Sequence, residues 1–105
     1  MVSQAVINIV KLYLDELRRN NIQIDLAFLF GSQVRGTAKQ DSDIDVMIVS
    51  SLFDDNRLKY VGKIWRATEI SDYKIEPHAV GLKRFLEDDY SPLIGIVKKE
   101  GIEIN

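Results

Sequence analysis

The chain reads as an α/β (α+β) domain, a small mixed β-sheet packed with helices, on three observations. Apolar residues near the N-terminus recur at helical spacing, three later segments are short and strand-like, and helical patterns separate those segments. At 105 residues the chain accommodates one domain, 1–105, because a second core would have too little chain. With 46% hydrophobic and 29% charged residues, six Gly and two Pro, its composition is that of an ordinary globular protein.

From Val2 to about Asn20, residues Val6, Ile9, Val10, Tyr13, Leu14 and Leu17 step by three and four, while Lys11, Asp15, Arg18 and Arg19 take other positions. This predicts an amphipathic helix with Ser3 as cap, ended by the Asn20-Asn21 pair, a residue type that tolerates the left-handed conformation. Leu26 to Phe30 is wholly apolar and stopped by Gly31, which predicts a strand covered on both faces. After a polar connection from Ser32 to Ser42, residues Asp43 to Val49 alternate, placing Ile44, Val46 and Ile48 on one face and Asp43, Asp45 and Met47 on the other.

Leu58, Val61, Ile64, Trp65 and Thr68 predict a helix from Asn56 to about Ser71, entered through a cap at Asp54 or Asp55, with Trp65 in the core. A third strand follows from Tyr73 to Val80, and Pro77, which cannot donate to a ladder, assigns it to a sheet edge or a distortion. Leu82 to about Glu87 reads as a short helix. Ser91-Pro92 starts a last helix through Lys99, closed by Gly101, and Ile102 to Ile104 can add a short strand.

Several function classes drop out. Without cysteine there is no disulfide framework, thiolate metal site or cysteine nucleophile, which fits a reducing, cytoplasmic setting. No apolar run approaches the ~20 residues that span a bilayer, so no membrane association is expected. A net charge of −2 argues against direct nucleic-acid binding, which rests on cationic contacts to phosphate. The P-loop pattern is absent, and no serine-histidine-aspartate logic is visible.

Chemistry concentrates in Gly31-Ser32-Gln33-Val34-Arg35-Gly36 followed by Asp41-Ser42-Asp43-Ile44-Asp45. A glycine after a buried strand lets backbone approach a ligand, and a serine opening a helical turn sets a hydroxyl and unpaired N–H groups where anions are favoured. The same pair also reads as a turn glycine with a capping serine. Asp43 and Asp45 point the same way along a strand with α-carbons roughly 6.6 Å apart, so their repulsion invites a hard divalent cation such as magnesium. Two acids that simply solubilise a strand end are the plainer alternative. Two-metal phosphoryl chemistry calls for a third carboxylate, and Glu76 is the only acid inside the third strand, sharing a face with Lys74, His78 and Val80. A surface glutamate is again the alternative. His78, on the face of Glu76, can reach the same cleft and act there, but as a lone imidazole it reads first as a surface or hydrogen-bonded residue.

The string GSQVRGTAKQDSDIDV resembles the signature of the DNA polymerase beta-type nucleotidyltransferase superfamily, in which Gly-Ser precedes Asp-x-Asp by some ten residues. More narrowly it is similar to the minimal nucleotidyltransferase domains, and the tail from Ser91 to Ile102 resembles their end. The resemblance implies the polymerase beta palm-like fold, with Gly31 and Ser32 holding the triphosphate and Asp43, Asp45 and Glu76 holding two Mg2+ ions. Arg35 is placed near the phosphates or in a supporting salt bridge. Many relatives carry aspartate where this chain has Glu76, which precedes a proline. Such domains also resemble antitoxins paired with HEPN-domain toxins, in which ATP supplies AMP to a tyrosine hydroxyl of the partner. The expectation is therefore an ATP-using, AMP-transferring antitoxin, with homo- and hetero-oligomers both open. The rival is a binding module that neutralises its partner by contact, since so short a chain shows no second domain to hold an acceptor. Aminoglycoside-type small-molecule modification is disfavoured, because relatives that do this carry an added helical domain.

Overall fold

A computed structural model describes residues 2–105. Helix α1 (Gln4–Arg19) leads into β1 (Leu26–Phe30), a one-turn α2 (Ser32–Arg35) and β2 (Ile44–Ser50). Then come α3 (Leu52–Asn56), α4 (Leu58–Arg66), a 3-10 turn (Ala67–Ser71), β3 (Ile75–Gly81), α5 (Leu82–Glu87), α6 (Pro92–Glu100) and β4 (Ile102–Glu103). The four strands form one mixed sheet in the order β3-β2-β1-β4. β1 is antiparallel to β2 and β4, and β2 is parallel to β3. The expected α/β class and mixed sheet are those observed.

Strand alternation divides the core into two. Ala27 and Leu29 of β1 with Ile44, Val46 and Ile48 of β2 meet Val10, Tyr13, Leu14 and Leu17 of α1, together with Phe53, Ile64 and Ala67. The opposite faces of the same strands present Phe30, Met47 and Val49, which pack with Val80, Phe85, Ile94 and Val97 under α5 and α6. Both faces of β1 are covered, as its unbroken apolar run predicts. Each fully buried Leu, Ile or Val contributes about 1.5–3 kcal/mol, so these layers hold the sheet.

Several local expectations are corrected. Ser3 occupies the N-cap position of α1, but its hydroxyl makes no capping bond. Asn21 adopts the left-handed conformation (φ 64°), as expected beyond the helix. The helical stretch expected from Asn56 begins at Leu52 and breaks into α3, α4 and the 3-10 turn. Asp54 therefore lies inside α3, and its carboxylate accepts the Lys83 N–H of α5 at 2.9 Å. The third strand starts at Ile75 rather than Tyr73 because Asp72 and Tyr73 both have positive φ, and the Tyr73 N–H returns to the Thr68 carbonyl. Trp65 is 51% exposed rather than in the core, because its neighbours Ile64 and Ala67 take the inward side of the helix. Pro77 lies in edge strand β3, as its missing N–H requires, and the Ser91 hydroxyl caps α6 by accepting the Ile94 N–H.

Among the described residues no helix is long and apolar enough to cross a membrane.

Tyr13 is fully buried, and its hydroxyl donates to the Ile64 carbonyl at 2.9 Å, tying α1 to α4. Tyr13→Phe should lower unfolding free energy by about 1–2 kcal/mol, because the Ile64 carbonyl then stays buried without that donor. Urea denaturation measures it, and an unchanged midpoint would show the bond to be dispensable.

Candidate active site

Three chain segments meet at one end of the sheet. The antiparallel pairing of β1 with β2 sets Phe30, the last residue of β1, opposite Asp45. The parallel pairing of β2 with β3 sets Asp45 opposite Glu76 and Met47 opposite His78. Strand alternation then sends Asp45, Glu76 and His78 to the face carrying α5 and α6. Donor atoms of these three side chains lie within 4.8 Å of one another. The His78 imidazole Nε2 is 3.4 Å from an Asp45 carboxylate oxygen, and its ring packs on Phe30 at 5.2 Å.

The electrostatics reflect the crowding. Glu76 holds its proton more tightly than an ordinary glutamate, first through desolvation, then through a hydrogen bond and repulsion from Asp45, with a smaller push from Asp43. His78 acts in the opposite direction. Asp43 sits one residue ahead of β2 and is exposed; it adds negative charge near Glu76 without joining the tight group of three.

Gly31 is required by this geometry. Its φ of 80° is unfavourable for side-chain-bearing residues, and a Cβ at this position would collide with the Asp45 carboxylate. Immediately after it, Ser32 opens α2, whose first N–H groups have no partner within the helix. The Gly31 carbonyl accepts the Val34 and Arg35 N–H groups, closing the turn. Arg35 forms a salt bridge with Glu100 at 2.9 Å, linking α2 to the end of α6. Of the residues singled out in the sequence, the fold brings Gly31, Asp45 and Glu76 together, keeps Asp43 beside them and engages Arg35 with Glu100. His78 is the group that the sequence pattern leaves bland; its spacing of two from Glu76 already puts both on one face, but only the strand order shows Asp45 next to them.

Beside His78 a groove of about 400 Å³ runs along the open edge of β3. Leu58, Val61 and Trp65 of α4 line one side, and Leu93 and Ile94 of α6 the other. Leu58 is 80% exposed, so an apolar stripe faces solvent next to the acidic cluster.

An α/β sheet whose strand ends gather carboxylates and an imidazole next to a glycine turn defines a class of domain suited to divalent cations and anionic ligands. The chain belongs to the nucleotidyltransferase domain family, whose family model matches residues 10–104. Among solved structures it is similar to a protein of Sulfolobus solfataricus provisionally described as a nucleotidyltransferase, at 14% identity and a TM-score of 0.64, covering 94% of this chain and 78% of that one. It is also similar to a toxin–antitoxin structure with AMP-PNP, at 23% identity and a TM-score of 0.61, covering 92% of this chain and 70% of that one. No curated protein gives a significant match.

Gly31→Ala should cost about 1–3 kcal/mol of stability, since the added Cβ is strained at positive φ and must displace Asp45. Chemical denaturation checks the cost, and an undiminished midpoint would mean that the turn relaxes freely. Glu76 also makes a pH prediction. A carboxyl whose folded-state affinity for protons is raised binds more protons folded than unfolded, so stability falls as pH rises through the window that opens near the ordinary glutamate range. In metal-free buffer Glu76→Gln should therefore raise the melting temperature at neutral pH and flatten its decline between mildly acidic and neutral pH. Parallel melting curves that decline alike with pH would refute this.

Proposed function

We propose that this domain transfers AMP from ATP to a hydroxyl group, with a tyrosine of a HEPN-domain toxin as acceptor, and so acts as the antitoxin of a toxin–antitoxin pair in the cytoplasm. The observation that carries this reading is the convergence of Asp45 and Glu76 beside Gly31, with Asp43 adjacent, in a chain of the nucleotidyltransferase domain family. The likeness to a toxin–antitoxin structure with AMP-PNP supports an adenine nucleotide and a toxin partner.

The residues present fit divalent cations. Carboxylate oxygens are the donors such ions take, and the missing Cβ of Gly31 leaves room for the Asp45 carboxylate in the corner. Asp43, Asp45 and Glu76 would hold two divalent cations, Mg2+ being the ion the family resemblance implies, which when bound would activate the attacking oxygen and steady the departing pyrophosphate. The Gly31-Ser32 corner binds the triphosphate through backbone N–H groups and the Ser32 hydroxyl, and Arg35, held by Glu100, braces that corner. The acceptor oxygen attacks the α-phosphorus in line as the bond to pyrophosphate breaks, and a Glu76 carboxylate oxygen left free by the cations takes the released proton. The protein's share is positioning and charge stabilisation.

The stripe of exposed Leu58 and Trp65 with half-buried Val61 supports a protein acceptor, because large apolar patches at a surface mark interaction sites. The same stripe favours a second reading, neutralisation of the partner by contact alone.

One experiment separates them. The Asp43→Asn/Asp45→Asn variant, mixed with its partner toxin and α-labelled ATP, should label the partner at below about one-hundredth of the wild-type rate, the scale on which loss of charge-stabilising groups acts. Persistent Mg2+-dependent labelling overturns the mechanism. Lost labelling with undiminished inhibition of the toxin establishes the contact reading instead.

A further inference from the structure

We propose that His78 is itself a ligand of a divalent cation held by Asp45 and Glu76. This position would then have a mixed nitrogen and oxygen donor set that takes a first-row transition ion, from Mn2+ to Zn2+, in preference to Mg2+. The inference rests on the reading of this cluster as a cation site and adds the identity of the ion.

The geometry carries it. Ligand atoms about 2.1 Å from a shared cation lie roughly 3 Å apart when adjacent and about 4.2 Å apart when opposite. The Nε2 of His78 and the near oxygen of Asp45 are 3.4 Å apart, inside that range, and the whole group of three spans no more than 4.8 Å. Small side-chain rotations bring all three onto one ion. The imidazole is little engaged otherwise: its ring stands against Phe30, which orients it, and among the described residues its one side-chain hydrogen-bond contact is Asp45, with Glu76 the other donor close by. The backbone holds the donors in place, since Asp45 and Glu76 are direct partners across parallel strands and His78 follows two residues on, on the same face. Opposite the imidazole, the Gly31 turn keeps the space beside the Asp45 carboxylate free of a Cβ.

The chemistry sets the preference. Mg2+ favours an all-oxygen shell and keeps several waters, whereas imidazole nitrogen suits later first-row ions such as Zn2+, and affinity at a mixed site rises from Mn2+ through Co2+. A carboxylate pair alone discriminates weakly among these ions. Adding one imidazole shifts the balance toward the softer ones. Asp43, exposed and outside the tight group, retains an oxygen-only character, so the two cation positions of the proposed reaction differ.

The chain contains a single histidine, so any imidazole signal from an untagged sample belongs to His78. The test is electron spin-echo spectroscopy of untagged, nucleotide-free protein loaded with Mn2+, combined with calorimetric titration of Co2+ and of Mg2+ into wild type, His78→Ala and His78→Gln. The expected result is nitrogen modulation in the wild type that is absent from both variants. Co2+ affinity should fall about tenfold or more in the variants, with Mg2+ affinity changed less than about twofold, the discrimination a nitrogen donor confers. His78→Gln keeps a polar side chain of similar reach, and its melting curve reports whether the fold survives. Should neither variant fold, the wild-type Mn2+ spectrum decides alone. Absent nitrogen modulation in the wild type, or Co2+ isotherms that superimpose for wild type and variants, including isotherms that are all flat, overturns the proposal. Those outcomes leave the nucleotidyl-transfer reading standing, since that reading falls only with persistent labelling by the Asp43→Asn/Asp45→Asn variant.

Discussion

The parallel pairing of β2 with β3 forces Asp45 and Glu76 to face each other, and the rest of the site follows from that constraint. Two carboxylates about 5 Å apart repel by roughly 1 kcal/mol in water and by about 3 kcal/mol at the effective dielectric of a protein surface. Against that stand Ile44, Val46 and Ile48 of β2 and Ile75 and Val80 of β3, each at most 5% exposed and each worth about 1.5–3 kcal/mol in burial. The apolar layers win easily. The repulsion is therefore a local strain that the fold tolerates, relieved by a proton on Glu76 or by a cation between the two.

Chain direction decides where the acids end up. Because β1 runs antiparallel to β2 and β3 runs parallel to it, the end of β1 and the beginnings of β2 and β3 lie together. A glycine placed just past β1 consequently touches an aspartate just inside β2, although fourteen positions separate Gly31 from Asp45 in the chain. Inverting either pairing would carry one of these groups to the far end of the sheet. The helices act at one remove: α1, α3 and α4 seal the face away from the acids, and α5 and α6 pack behind them through Phe85, Ile94 and Val97. The Arg35–Glu100 pair is half exposed, so it adds little stability; its effect is to fix α2 against α6.

Much of this was legible from local pattern. The strands were legible because β2 alternates by two residues and the apolar run of β1 is short and stopped by Gly31, and the acidic pair stood out because like charges rarely open a buried strand. Ser91-Pro92 signalled its helix through a cap that the structure realises. The failures share a cause, which is that spacing does not reveal what a residue meets. Asp54 looked like a cap for the helix next to it and instead satisfies α5, some thirty residues away. Trp65 matched the helical period, yet Ile64 and Ala67 take the inward side and leave it exposed. His78 shares the face of Glu76 in the sequence pattern but reads first as a surface residue for the same reason: its partner Asp45 becomes its neighbour only once β2 and β3 are paired in register.

The groove along β3 bears on how so small a domain engages an acceptor. An edge strand with unpaired backbone invites indiscriminate strand addition, and Pro77 blunts that by removing one donor from the ladder. What remains at the edge is a side-chain surface, Leu58, Val61 and Trp65 facing Leu93 across β3, with His78 on its wall. A partner seated there would be held by apolar contact, not by backbone pairing, and would reach Glu76 from the side away from Gly31. On the proposed reading, the anionic ligand would lie over the glycine turn and the hydroxyl-bearing one over the strand edge, on opposite sides of β2. Such an approach is compatible with in-line displacement, in which the attacking and departing oxygens lie on opposite sides of the phosphorus.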